Sequence, residues 1–136
     1  MNIILCDQEL RRLPRPSRKQ PIIIPKILHF GPGAFFRSFV ASFIDAVNQK
    51  DVEEWGIIAV SLNSEDIFCK LAGQDFVFNS LSISKTKKKV QQISSISDFL
   101  VAKNDARRVL EALSDEQIEI VSLTITEKGY YYNLDK

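Results

Sequence analysis

The chain has 136 residues, 45% of them hydrophobic and 26% charged, which excludes disordered, collagen-like and fibrous classes and fits one soluble globular domain. At this length folding buries roughly 68% of the surface of the unfolded chain, so a core forms without disulfides or structural metal. Eighteen Lys and Arg against seventeen Asp and Glu give a net charge of +1, which excludes a whole-protein field for nucleic acid or an anionic membrane.

Cys6 and Cys69 lie far apart and form neither a redox pair nor, with the single His29, a zinc ligand set. The apolar run Ile3 to Cys6 is too short for a secretory segment or a membrane span, so the expected location is the cytoplasm, with reduced thiols. Residues 1–25 alternate Arg11, Arg12, Arg15, Arg18 and Lys19 with Pro14, Pro16, Pro21 and Pro25. Proline removes backbone donors and disfavours helix in the residue before it, so this is expected to be an extended basic arm laid over the domain, with part of Ile22-Ile23-Ile24 buried.

From residue 26 the pattern predicts an α/β fold. Ile27 to Phe30 form a short apolar run ending at Gly31-Pro32-Gly33, as a buried parallel strand meeting a tight turn. A helix is expected next, with Phe36, Phe39, Val40, Phe43, Ile44 and Val47 on one apolar stripe. Trp55 to Leu62 read as a second strand covered on both faces, completing a βαβ unit. A short helix holding Ile67, Phe68 and Leu71 follows, closed by Gly73. Phe76-Val77-Phe78 and Leu81-Ser82-Ile83 alternate as strand residues, Lys85-Thr86-Lys87-Lys88-Lys89 sits at a hairpin tip as a solvated run, and Val90, Ile93 and Ile96 lie on the returning side. Asn104 is the expected N-cap of a helix carrying Ala106, Val109, Leu110 and Leu113, and Ile118 to Ile125 form the last strand. The expected architecture is a partial doubly wound, Rossmann-like parallel sheet with an inserted β-hairpin.

Gly31-x-Gly33 stands directly between strand and helix, the context that a dinucleotide-binding turn requires. The first glycine permits the turn, the second admits the pyrophosphate, and helix amides from near Ala34 point at the phosphates. Phe36 replaces the third glycine of the full fingerprint, so a purely structural turn is the competing reading. Glu65 and Asp66 follow the second strand, where a carboxylate accepts from both ribose hydroxyls; alternatively Ser64 is an N-cap and the acids are first-turn residues. Arg37 pairs with a phosphate, with a substrate carboxylate, or is a surface cation. His29 reads first as a hydrogen-bonded core residue rather than an acid or base, and Tyr130, Tyr131 and Tyr132 as packing residues rather than proton donors.

His29-Phe30-Gly31-Pro32-Gly33-Ala34-Phe35-Phe36-Arg37, Trp55 to Leu62, Ser64-Glu65-Asp66, Ala72-Gly73-Gln74-Asp75, Ser95 to Asp98 and Ile120 to Tyr130 resemble, in order, successive blocks of the mannitol dehydrogenase family. These long-chain NAD(P)-dependent polyol dehydrogenases include the fructuronate and tagaturonate reductases. The resemblance implies that Gly31, Gly33, Ala34 and Phe35 line the pyrophosphate, with Glu65 and Asp66 at the adenosine ribose, a preference for NAD, and Thr124, Thr126 and Glu127 towards the nicotinamide. It implies reversible hydride transfer between a polyol and NAD without zinc, giving a ketose or keto-sugar acid. The family's general base is a lysine in a second, helical domain to which no residue here corresponds. Residues 26–136 are then a truncated NAD-binding domain, inactive alone, that takes a polyol or sugar acid only if completed by a catalytic domain, a second polypeptide or a second copy. The alternative is a non-catalytic interaction module that binds a protein partner through its open sheet edge or basic arm. Neither reading involves nucleic acid or a membrane.

Overall fold

A computed structural model of the chain describes residues 3–4, 13, 15–50 and 54–125. Its strands are β1 (Ile3–Ile4), β2 (Pro25–Phe30), β3 (Gly56–Ser61), β4 (Phe78–Ile83), β5 (Lys88–Ile93), β6 (Ile96–Val101) and β7 (Ile120–Leu123). Its helices are α1 (Ala41–Asn48), entered through a π-helical segment Phe36–Val40, α2 (Asp66–Ala72) and α3 (Ala106–Leu113). The main sheet is parallel throughout, in the order β6-β3-β2-β7. A separate antiparallel sheet, β1-β5-β4, is built on the hairpin.

Strands β2 and β3 are central because their apolar runs serve both faces. Ile27, Ile57, Ala59 and Phe99 pack with Phe36, Ala41, Leu71 and the hairpin residues Phe78 and Ile93 on one side. Leu28, Ile58, Val60 and Leu100 pack with Val109 of α3 on the other. Helices therefore cover both faces, as a doubly wound sheet requires. No described helix is long and apolar enough to cross a membrane.

Several expectations are corrected. Phe39 and Phe43 are exposed rather than part of the core stripe. The buried positions are instead Phe36, Ala41 and Asp45, because the π-helical segment spaces the first two by five residues and rotates the rest of the helix. Asp45 is buried with its carboxylate satisfied: Oδ1 accepts from the backbone N–H (2.7 Å) and hydroxyl (3.1 Å) of Ser94, and Oδ2 from Gln49 (3.0 Å). Ile96 does not return along the hairpin but opens β6, a main-sheet strand paired with β3. Phe76 lies before the hairpin in a turn, where it and Asp75 have positive φ. The cap of α3 is Asp105, which accepts from Arg108 N at 2.9 Å, rather than Asn104. Gly73 does end α2, but with φ −75° rather than a left-handed conformation. In the isoleucine run, Ile23 is half-buried, as expected, while Ile22 and Ile24 are exposed.

The arm makes specific contacts. Arg18 donates to the carbonyls of Ser94, Asp75 and Ile96 at 2.9, 3.0 and 2.6 Å, and Arg15 donates to Gln74 at 3.2 Å. At the far end of the hairpin, Ser84 and Lys87 close the tip by backbone and hydroxyl hydrogen bonds around Lys85 and Thr86, while Lys88 and Lys89 belong to β5.

Candidate functional site

The chain runs from β2 to β3 and on to β6 in one direction, then crosses back to β7 on the opposite side of β2. The strand order reverses between β2 and β7, and open α/β sheets bind ligands in the crevice beyond the carboxyl ends of strands at such a point. Gly31 stands at that end of β2. Its N–H donates to Val60 O at 3.0 Å, and it adopts φ 87°. A Cβ there would come within 2.9 Å of Thr124 O, so only glycine lets the turn pass this close to the chain leaving β7.

Gly33 closes the turn by donating to Gly31 O at 2.7 Å, and Arg37 N donates back to Gly33 O at 3.1 Å as the helix begins. A Cβ on Gly33 would meet nothing nearer than Gly31 O at 4.0 Å, so this face of the turn opens outward. Ala34 and Phe35, both exposed, occupy the first helical positions, where backbone N–H groups have no intrahelical acceptor. The result is an open approach to the amides at the positive end of a helix, an arrangement suited to a phosphate group.

Phe36 occupies the place of the missing third glycine, and its ring stacks on His29 at 3.8 Å between centroids, 10° from parallel. An aromatic layer thus replaces direct backbone contact between helix and strand. His29 is 2% exposed. Its Nδ1 lies 2.8 Å from Ser122 Oγ and its Nε2 3.0 Å from Thr124 Oγ1, so it is the hydrogen-bonded core histidine that the sequence suggests. Desolvation lowers its pKa, partly offset by a hydrogen bond with the Gly31 backbone. The folded-state value thus lies below the ordinary 6.5, so the stability of the neutral buried ring is complete above that pH and is lost as pH falls towards the folded value. Thermal melts are expected to show acid destabilisation beginning near pH 6.5 that is absent in His29→Phe.

Arg37 Nη1 donates to Pro32 O at 2.6 Å, so the guanidinium braces the glycine turn from within. Burial lowers its pKa from the usual guanidinium value, yet arginine remains a cation in proteins. It is therefore not a simple surface cation, and among the described residues it is not paired to an acid. With Ala34 and Ser38 it lines a cleft of about 210 Å³ against Phe78, Asn79 and Leu81 of β4.

Glu65 and Asp66 are both exposed at the start of α2, and among the described residues neither carboxylate has a hydrogen-bond partner. The N-cap of α2 is Glu65, whose carbonyl accepts from Cys69 N at 2.8 Å, rather than Ser64, whose Oγ accepts from Asp66 N at 3.2 Å one residue before the cap. Glu65 and Asp66 follow β3, which pairs directly with β2, and thus lie on the glycine-turn edge of the sheet. Thr124 donates its N–H to Phe30 O at 2.9 Å and stands beside Gly31. Thr126, Glu127 and the three tyrosines lie outside the described residues. The roles of His29 and Ser122 as a pair were not read from the sequence. The available signal was that Ser122 and Thr124 alternate within an apolar strand, which places both hydroxyls on one sheet face.

The family model for the mannitol dehydrogenase Rossmann domain matches residues 25–136. Mannitol 2-dehydrogenase of Cereibacter sphaeroides is 32% identical over 124 residues, covering 89% of this chain and 26% of that protein. A polyol:NADP oxidoreductase of Gluconobacter oxydans is 33% identical over 139 residues, covering 96% of this chain and 28% of that protein. The structure of Pseudomonas fluorescens mannitol 2-dehydrogenase in a ternary complex with NAD and D-mannitol superposes with a TM-score of 0.72 at 35% identity, covering 92% of this chain and 27% of that one. The chain thus spans about a quarter of the length of the curated relatives it matches. With more than half its residues matched by the family model, the chain belongs to the mannitol dehydrogenase family, of which it carries Rossmann-domain sequence.

Proposed function

We propose that this chain is the NAD-binding front of a mannitol-type polyol dehydrogenase. The observation that carries the reading is the Gly31-Pro32-Gly33 turn, open on the Gly33 side and set at the topological switch point beside Thr124. The Ala34 and Phe35 amides would hold the pyrophosphate, with Gly33 leaving room for its approach, and Glu65 and Asp66 would accept from the adenosine ribose hydroxyls. Bound NAD supplies the acceptor for a hydride leaving a substrate carbinol. The chain's own residues bind and orient it, and Arg37 keeps the turn in shape through Pro32 O.

Removing the carbinol proton needs a positioned base, and the described residues around the crevice offer none. Both ring nitrogens of His29 are engaged, Arg37 is a cation, and Glu65 and Asp66 stand at the adenosine end. The base that turnover needs therefore lies outside the described residues around the crevice.

Calorimetric titration of NAD and NADP into the purified chain tests the reading. Saturable NAD binding is expected, with Asp66→Ala weakening NAD by about tenfold, the worth of one or two hydrogen bonds to a charged acceptor. The same substitution removes repulsion of a 2′-phosphate, so the gap between NAD and NADP should narrow. A folded chain that takes neither dinucleotide would leave only the family relationship.

One observation favours a second reading, in which the chain pairs with a protein. Among the described residues β7 is an edge strand, and Ile120, Val121, Leu123 and Ile125 are exposed along it. Such an edge invites strand addition or a second copy. Concentration-dependent association in sedimentation experiments, lost when Val121 is replaced by lysine, is what that reading expects.

A further inference from the structure

The His29 side chain links β2 to β7 and to the chain leaving it, across the switch point, and its two arms reach different places. Nδ1 meets Ser122 Oγ within β7, level with His29 itself in the strand pairing. Nε2 meets Thr124 Oγ1 one step beyond the end of β7, where the chain passes the glycine turn. Below, the ring lies flat on Phe36, the residue from which the π-helical segment starts.

We infer that His29 is a positioning residue for the dinucleotide crevice, in which the Nε2 arm to Thr124 sets the crevice width and the Nδ1 arm to Ser122 anchors the ring. The inference deepens the NAD reading and rests on it for its effect on affinity. The physical argument is one of degrees of freedom. Among the described residues one backbone hydrogen bond, from Thr124 N–H to Phe30 O at 2.9 Å, ties Thr124 to β2, and the His29 side chain adds a second link. Gly31, lacking a side chain and held at φ 87°, has no packing of its own to resist movement. A neutral imidazole donates through one nitrogen and accepts through the other, so it fixes both hydroxyls at once, and burial holds the ring in one orientation. A fixed gap costs nothing to organise when the pyrophosphate arrives. The work argued for the ring is geometric: it holds two hydroxyls in fixed places.

The two arms can be separated by substitution. In His29→Asn the amide reaches only the position of Nδ1 and preserves the link to Ser122, whereas in His29→Gln it reaches the position of Nε2 and preserves the link to Thr124. NAD affinity by calorimetry, melting temperature, and hydrogen exchange at the Gly33 and Thr124 amides without ligand are the readouts. His29→Gln is expected to hold NAD within about twofold of the parent, and His29→Asn to lose about tenfold, with faster exchange at both amides. If the histidine variants do not fold, Thr124→Val and Ser122→Ala remove the same two arms one at a time. Thr124→Val should behave as His29→Asn does, and Ser122→Ala should keep affinity. Equal affinities and exchange across the two arms, or affinities that merely follow melting temperature, would overturn the inference. If the parent chain takes no NAD, the dinucleotide reading fails, and the ligand-free exchange pattern alone then decides whether His29 positions the turn.

Discussion

Gly33→Ala is expected to remove most dinucleotide affinity, about a hundredfold, while leaving the fold as stable as before. The added methyl meets nothing within the protein closer than 4.0 Å, and Gly33 does not need a left-handed backbone. Replacing glycine where alanine fits even stabilises a chain by about 0.5 kcal/mol, because fewer unfolded conformations remain. The methyl instead fills the space through which a pyrophosphate must approach the Ala34 and Phe35 amides, and an ångström of displacement there removes several charge-assisted hydrogen bonds together. Gly31→Ala should behave in the opposite way. Its Cβ meets the Thr124 carbonyl at 2.9 Å and its φ of 87° is strained for any L side chain, so about 3 kcal/mol of stability should go with it. Melting curves and NAD titrations on both variants separate the two glycines. Unchanged NAD binding in a well-folded Gly33→Ala chain would mean that no phosphate sits at this helix.

That contrast was partly legible beforehand. The continuous apolar runs of β2 and β3, each bounded by glycine or polar residues, can be satisfied only by strands buried on both faces, and they fixed the parallel core. What failed was reading across irregularities. Ile96 reads as the end of the hairpin's returning strand because only Ser94 and Ser95 separate it from β5, and β6 goes unread because Ser97 and Asp98 interrupt its apolar pattern. Those polar groups are matched by partners far along the chain: Ser95 Oγ donates to Ala41 O at 3.0 Å, Ser97 to Ile23 O, and Arg108 pairs with Asp98 at 2.8 Å. No local pattern encodes such partners. The apolar stripe of the glycine helix failed for a different reason. A π-helical segment adds a residue to one turn, which rotates everything after it by about 100°. Phe39 and Phe43 then leave the core and Asp45 enters it. At the site, the glycine turn was legible because its residues are contiguous. The His29, Ser122 and Thr124 cluster joins positions more than ninety residues apart and needed the sheet order to appear.

Arg18→Ala is expected to cost about 3 kcal/mol, a large share of the stability of a domain this size, although Arg18 is remote from the crevice. Its guanidinium donates to Asp75 O on one side of the hairpin and to Ser94 O and Ile96 O on the other, the two points at which the hairpin leaves and rejoins the α/β body. The first of these points is strained, since Asp75 and Phe76 have φ of 52° and 59°. Side chains held there cost about 1 kcal/mol or more each unless the surroundings enforce the conformation. Arg18 supplies that enforcement, with the Asp75 and Asp45 carboxylates favouring its charge against desolvation. Alanine would leave three carbonyls short of a partner and free the turn. Arg18→Lys should recover less than half of the loss, because one ammonium cannot reproduce a planar fork that reaches three acceptors. Arg15→Ala, which loses only one exposed hydrogen bond to Gln74, should change stability by less than about 1 kcal/mol. Thermal melts of the three variants, with limited proteolysis at the hairpin tip near Lys85, distinguish a strap from a passive arm. Parent-like melting and protease resistance in Arg18→Ala would show that the hairpin holds its place by its own packing, through Phe78 and Ile93 against the core.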